Sequence, residues 1–317
     1  MRRTQASSSS SLTSAVPQFS LDKLTREARH ERFVKEYSKL STIDTDPRVN
    51  FTTSVDLSYL NRYSNILANE QTLFPPSKEP AVYINANRMP FDTPHTLIAS
   101  QAPISDEGLI PWWHVICSYK ISLVMMLTRE VENHVPKADR YWPREVNQEE
   151  RYGPYRVVLE SEEHIPELQL KVRQLSVALA TRKDSSEDET KREAKEKNEQ
   201  KHRVTQLQYL GWPDHGIPSS TVAFRKMMER LEQHPTDAPV IVHCSAGIGR
   251  TGTLIGYYAV KQCLATGSLT DRSVYEVVGA MKRSRRGMVQ RFDQYNFIYQ
   301  CLLEELESRA SASSASL

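Results

Sequence analysis

The sequence predicts a mixed α/β (α+β) domain, a twisted mixed sheet flanked by helices, on three observations. Short apolar runs bounded by polar turns alternate with helical periodicity through the middle of the chain. A hydrophobic fraction of 39% and a charged fraction of 25% lie near a globular average, so the chain has the apolar surface to bury a core. Near the C-terminus, residues 239–243 form an apolar run that leads into a glycine-containing loop and then a helical pattern, which reads as strand, loop and helix N-terminus. A length of 317 residues alone would allow about two domains.

The elements follow in order. Residues 6–14 are mostly serine and threonine and 308–317 repeat that composition, so the tails 1–18 and 308–317 are expected to be disordered and 19–307 to fold. Over 20–40 the positions Leu21, Leu24, Ala28, Phe33, Val34 and Tyr37 keep a loose helical spacing, with Ser20 placed as the cap. Runs 81–86, 96–99 and 122–127 predict strands, and the tryptophan-rich 109–119 predicts an intervening helix. Residues 183–201 hold seven acidic and six basic side chains with almost nothing apolar, a solvated insertion between strands near 172–180 and 204–209. After the strand at 239–243, residues 253–264 are helical and stop at Gly267. Val274, Val277, Val278 and Met281 then share one helix face, and a last helix runs around Tyr295, Ile298 and Leu302.

The 41 basic and 39 acidic residues leave a formal charge of +2, too weak a single-sign field to point to nucleic acid or a membrane as partner. Cys117, Cys244, Cys263 and Cys301 form no C-x-x-C pair or Cys/His cluster. That argues against structural zinc and an extracellular disulfide framework, and for a reducing, cytoplasmic setting. No apolar run approaches the ~20 residues that span a bilayer, and the serine-rich start lacks a signal-peptide core. Cys117, Cys263 and Cys301 fall in helical apolar patterns and are expected in the core.

The chemistry lies in Cys244-Ser245-Ala246-Gly247-Ile248-Gly249-Arg250. At a helix N-terminus, its glycines let the backbone turn amide N–H groups inward, and the Arg250 guanidinium offers a fork matched to two oxygens of a tetrahedral oxyanion. The same field favours thiolate over thiol at Cys244, which makes it a nucleophile on the floor of a phosphate cradle. A competing motif, G-x-G-x-x-G over 247–252 with Asp271 about 20 residues on, would suit a dinucleotide. Asp271, however, precedes another helical pattern rather than ending a second parallel strand, and too little chain remains for a doubly wound domain.

The string His243-Cys244-x5-Arg250-Thr251 resembles the signature of the protein tyrosine phosphatases, and the chain is similar to the family's kinetoplastid members. The resemblance implies that Cys244 is the nucleophile, Arg250 the phosphate-binding arginine, Thr251 the hydroxyl aiding thiolate departure, and His243 a residue setting the thiolate's electrostatics. Ser245, Ala246, Gly247, Ile248 and Gly249 would form the rest of the cradle. Trp212-Pro213-Asp214-His215-Gly216 is similar to the family's mobile loop, with Asp214 the general acid and later base, and Trp212 and Gly216 near its hinges. The segment from Gly287 to Tyr295 resembles the glutamine loop, with Gln290 orienting the hydrolytic water and Gln294 supporting it. Leu60-Asn61-Arg62-Tyr63-Ser64-Asn65 resembles the phosphotyrosine-recognition loop, in which Tyr63 would stack on the substrate ring.

The sequence departs from the family at three of these places. Arg291 stands where threonine is usual, Lys282 where an arginine is expected, and Asn65 where aspartate commonly grips the substrate backbone. Glu132 falls where a carboxylate orients the loop arginine, and Lys137 where a lysine reaches the closed aspartate loop. Framework motifs at 83–87, 98–103 and 141–143 extend the likeness over about 19–307. Motifs spread from Asn61 to Gln294 must converge, which favours one domain over two. The resemblance implies a monomeric hydrolase of phosphotyrosine in proteins that uses no metal or cofactor, because Arg250 and the loop amides supply the charge stabilisation. A binding-only module and a phosphatase of broader specificity are the rivals. Intact Cys244, Asp214, Arg250 and Gln290 count against the first, and the tyrosine-recognition loop against the second.

Overall fold

The computed structural model describes residues 19–104, 107–179, 201–213 and 216–315. Among them, eight strands build one mixed sheet in the order β1-β2-β10-β3-β9-β8-β7-β6. The strands are β1 (Ala86–Arg88), β2 (Leu97–Ser100), β3 (Leu123–Met126), β6 (Glu149–Tyr152), β7 (Tyr155–Ile165), β8 (Leu170–Leu179), β9 (His202–Tyr209) and β10 (Val240–His243). A separate two-stranded ribbon pairs β4 (Val131–Glu132) with β5 (Val135–Pro136). The inner strands β2, β10, β3 and β9 run parallel, and the other pairings are antiparallel.

Strand β10 occupies the middle of the parallel part, and all four of its residues are buried, as a strand covered on both faces requires. Side chains alternate across it. Val240 and Val242 join Leu97, Ala99, Leu123 and Met125 on one face. Ile241 joins Ile98, Val124 and Met126 on the other. The first face is covered by α1 (Arg26–Ser41), α4 (Thr221–Glu232), α5 (Gly249–Ala265), α6 (Ser273–Ser284) and α7 (Phe292–Ala315). The second is covered by α3 (Leu109–Ser118), through Trp112 and Trp113; a short α2 (Thr52–Asp56) precedes the sheet. The carboxyl end of β10 therefore opens directly into Cys244 and α5, at the edge where parallel sheets form their sites.

Several expectations are corrected. Ser20 does not cap the first helix: its N–H and hydroxyl both donate to Asp271, and α1 starts at Arg26 with the Thr25 hydroxyl accepting from Ala28. Asp271 thus serves a turn at Leu21–Lys23, and no described strand follows β10, so the dinucleotide alternative has neither its carboxylate nor its second strand. In the run at 81–86, Ala81 and Val82 end a 3-10 turn, Pro80–Val82, residues 83–85 are irregular, and the strand begins only at Ala86. Helix α7 continues to Ala315, past residue 307, where alanines favour helix and the Ser308, Ser311 and Ser314 hydroxyls fold back onto the carbonyl four residues earlier. The tail 1–18 lies outside the described residues, as does the insertion up to Gln200.

The four cysteines form no disulfide. Cys301 is buried in the core, and burial pushes its thiol well up. Cys117 and Cys263 are only half-buried, on helix flanks rather than in the core, and burial raises the Cys117 thiol to about 11. Among the described residues no helix is long and apolar enough to cross a membrane.

Candidate active site

Strand β10 delivers His243, α5 begins at Gly249, and residues 244–248 wrap the helix N-terminus between them. Cys244 lies 5% exposed on the floor of a cleft of about 340 Å³, and its Sγ accepts the Gly247 N–H at 3.2 Å. Gly247 has φ +69°, and a Cβ there would sit 2.0 Å from the Ser100 carbonyl oxygen, so no other residue fits. Below the loop, Arg285 is fully buried and donates from Nε to the Gly247 carbonyl at 2.9 Å and from Nη2 to the Ala246 carbonyl at 3.1 Å. In a trans peptide the C=O and the following N–H point oppositely, so drawing these carbonyls down turns the Gly247 and Ile248 N–H groups up toward the cleft. Asn85 and Asn87 accept two further Arg285 protons at 2.8 Å each, and although burial lowers its pKa to about 10, it stays charged at neutral pH.

Arg250, at the start of α5, is held by Glu132 in a two-pronged pair, Nη1 to Oε1 at 2.6 Å and Nη2 to Oε2 at 2.7 Å. It also donates to the carbonyls of Leu127 and Pro213 at 3.0 and 3.4 Å. Burial alone would raise the Glu132 pKa, but the Arg250 hydrogen bonds and charge, with the Arg129 N–H and Thr128 hydroxyl, hold it below the ordinary value. The carboxylate sits on the β4 ribbon, whose turn exists to bring it there.

Tyr63 and Ser245 join the cleft wall to its floor. Ser245 Oγ gives its proton to the Lys137 carbonyl at 2.7 Å, so the Tyr63 hydroxyl, 2.7 Å away, donates to Ser245. The Lys137 side chain and the exposed Asn65 line the mouth. Opposite them, Gln290 and Gln294 approach the start of α5 so closely that a Cβ on Gly249 would lie 3.2 Å from Gln290 Oε1 and 3.0 Å from Gln294 Nε2. Just before Gln290, Val289 has φ +56°, a strained conformation for a β-branched residue. It is held from both sides: its N–H donates to the Ile248 carbonyl at 3.0 Å and its carbonyl accepts the Tyr37 hydroxyl at 3.2 Å.

Such a cradle, with inward amides, a helix N-terminus and a fixed guanidinium around one sulfur, is built for a tetrahedral oxyanion. A larger groove of about 1010 Å³ between α1 and α7 contains none of these groups. The family model described as protein-tyrosine phosphatase matches residues 58–304. The chain belongs to the protein-tyrosine phosphatase family. It is 35% identical over 257 residues to receptor-type tyrosine-protein phosphatase eta of Gallus gallus, covering 78% of this chain and 17% of that relative. The chain thus spans under a fifth of that relative's length. Among solved structures, Trypanosoma cruzi TcPTP1 matches with TM-score 0.80 and 39% identity, covering 92% of this chain and 96% of that one. Trypanosoma brucei TbPTP1 gives 0.81 and 38%, covering 92% and 97%. The kinetoplastid resemblance and the twisted mixed-sheet fold both stand on these matches.

Within this phosphatase-family framework, the structure brings together Cys244, Ser245, Ala246, Gly249, Arg250, Tyr63, Asn65, Glu132, Lys137, Gln290 and Gln294 around one cleft. Asp214 and His215 lie outside the described residues, but their neighbours are placed: Pro213 touches Arg250, Trp212 Nε1 donates to the Gly216 carbonyl at 2.8 Å, and Gly216 borders the cleft. Thr251 is buried on the first turn of α5, and its hydroxyl has no hydrogen-bond partner among the described residues. His243 sits beneath, fully buried; burial lowers its pKa to about 4, so it is neutral.

Lys282, where the family has arginine, is outside the cleft. It is buried and paired at 2.6 Å with Asp44, whose other oxygen accepts the Gly287 N–H at 2.8 Å, so it braces the glutamine loop rather than the phosphate. Arg291 does reach the cleft, with a loose 3.7 Å pair to the exposed Asp293. Arg285 was not foreseen, because a basic residue at a helix end reads as a complement to the helix dipole. The asparagines that face it, Asn85 and Asn87, carried the one usable signal: polar residues beside the apolar run 81–84 that are buried must have a partner.

Proposed function

We propose that the chain hydrolyses phosphotyrosine in proteins through a cysteinyl-phosphate intermediate. The observation that carries the proposal is Cys244 Sγ on the cleft floor beneath inward amides, with Arg250 clamped alongside by Glu132. The sulfur anion attacks phosphorus, forming S–P as the P–O bond to the phenol breaks, and the Asp214 carboxyl gives its proton to the departing phenolate. Arg250 and the loop N–H groups meet the equatorial oxygens, where charge is greatest in the transition state. Water, oriented by Gln290, then attacks phosphorus and yields its proton to the Asp214 carboxylate while the S–P bond breaks. The unpartnered Thr251 hydroxyl supports a role as donor to the departing sulfur.

Tyrosine selectivity rests on depth: Tyr63, tied to the floor through Ser245, forms a wall that an aromatic ester can stack on and still reach Cys244, whereas phosphoserine is too short. The proposal extends to a cytoplasmic location, on the strength of the cysteine pattern. The test is hydrolysis of phosphotyrosine against phosphoserine peptides in a chelating buffer, with vanadate as competitor. Turnover of the first only, inhibited by vanadate and lost in Cys244→Ser, is expected. Equal turnover of both peptides, or activity retained in Cys244→Ser, would overturn the proposal.

A further inference from the structure

Behind the sheet, a chain of hydrogen bonds runs from strand β8 to the nucleophile's own backbone. Arg173 is nearly fully buried, its guanidinium 4.5 Å above the Trp142 ring and paired outward with Glu162. Its Nη1 lies 2.7 Å from Gln206 and 2.9 Å from Gln208. An arginine only donates, so both glutamines must turn their carbonyl oxygens toward it and their NH2 groups away. The NH2 of Gln206 then faces the Tyr141 hydroxyl at 2.7 Å and Met126 Sδ at 3.8 Å, and donates to both. Tyr141, having accepted that proton, gives its own to the atom 2.9 Å beyond, His243 Nε2. His243 Nδ1 faces the Cys244 carbonyl at 3.0 Å, which can only accept, so the ring's single proton belongs on Nδ1.

The second branch starts from the same guanidinium. Gln208 Nε2 donates to the Thr128 carbonyl at 3.0 Å, and the Thr128 hydroxyl donates at 2.9 Å to Glu132 Oε1, the oxygen that holds Arg250 Nη1. We infer that Arg173 is a positioning residue which orients Gln206 and Gln208 and, through Gln206, sets the hydrogen-bond direction of the first branch and so locks His243 as the neutral Nδ1–H tautomer bonded to the Cys244 carbonyl. Protonating Nε2 would set it against the Tyr141 proton, donor facing donor, and Tyr141 cannot turn while Gln206 donates to it. Burial and the nearby charge of Arg62 act in the same sense on His243. The other charged group bearing on Tyr141 besides Arg173 is Glu130. All five residues from Arg173 to Cys244 are buried, so water cannot substitute for any of the four links between them.

The inference rests on Cys244 being the nucleophile, but its first test needs no turnover. In the full chain labelled with ¹⁵N-histidine, His243, assigned by the signals lost in His243→Gln, should show a protonated Nδ1 and a bare Nε2 throughout pH 6–8, a range chosen around the ordinary histidine pKa of about 6.5. A protonated Nε2 in the resting protein overturns the inference, whatever the Cys244→Ser assay gives. The second test is Gln206→Glu, nearly isosteric and still able to accept from Arg173, which turns the face toward Tyr141 from donor to acceptor. Tyr141 should then donate to residue 206, His243 should become doubly protonated, and kcat should fall about tenfold, the worth of one charge-assisted hydrogen bond, with KM for peptide nearly unchanged. Thr205→Val, which removes a hydroxyl bonded to Gln174 on the neighbouring strand outside both branches, should alter neither the histidine signals nor kcat. A purely structural role predicts lowered stability in Gln206→Glu with unaltered His243 signals, and that result overturns the inference.

Discussion

The guanidinium of Arg285 and the carbonyl of Gly247 lie 2.9 Å apart, joined from beneath a loop whose upper side is the proposed phosphate cradle. The orientation of the amides that face an anion is thus set by a cation that never meets it. Arg285→Lys keeps the charge and loses the fork that reaches four acceptors at once. The expected result is a loss of about 2–3 kcal/mol in urea unfolding, together with weaker inhibition by inorganic phosphate. Unchanged phosphate inhibition in a folded variant would separate Arg285 from the cradle.

The Glu132–Arg250 pair gives a pH dependence whose sign can be worked out. The folded pKa of Glu132 lies below the ordinary 4.5, so folding favours the carboxylate. That stability is complete above the unfolded value and is lost as pH falls through the lowered, folded value. Glu132→Gln should therefore be less stable than the parent by about 1.5–3 kcal/mol at pH 7, with the gap closing in acid below the unfolded value. A gap that stays constant from neutral pH into acid would contradict the assignment.

Gly247→Ala must accommodate a methyl group 2.0 Å from the Ser100 carbonyl at φ +69°. The loop has to move, and with it the N–H that meets Cys244. Stability should fall by more than about 1 kcal/mol and kcat by about 10²-fold or more. Parent-like kinetics would show that the Gly247 amide is dispensable.

Asp214→Ala should lower kcat by about 10²-fold or more on an alkyl-rich phenol ester, with much substrate affinity kept. On an ester whose phenol leaves readily without a proton the loss should be smaller. Equal losses on both substrates would assign the residue another role.

How far the sequence could be read depends on how local each cause is. The cradle was legible because Cys244, Gly247, Gly249 and Arg250 have a fixed spacing imposed by one strand-to-helix turn, and that turn is where the structure has it. The Ser20 cap was misread because the hydroxyl's partner is Asp271, 251 residues away, and no periodicity reports a distant acceptor. The outer half of β7 gave no alternating signal because residues 160–164 are exposed on both faces, where the hairpin with β8 projects beyond the core. Lys282 stands in the sequence where an arginine is expected, and nothing near it in the chain points to its anion, Asp44, 238 residues away.

The carbonyl of the strained Val289 is held by Tyr37, and Gly287, two residues earlier, by Asp44, so two of the tethers on the loop proposed to orient the hydrolytic water come from the first fifty residues. The match to the family model begins at residue 58. A protein trimmed to that boundary would keep every residue that touches phosphate and still release the backbone on which Gln290 stands. Such a fragment should accumulate as the phosphorylated thiol, quick to take the phosphoryl group and slow to surrender it to water.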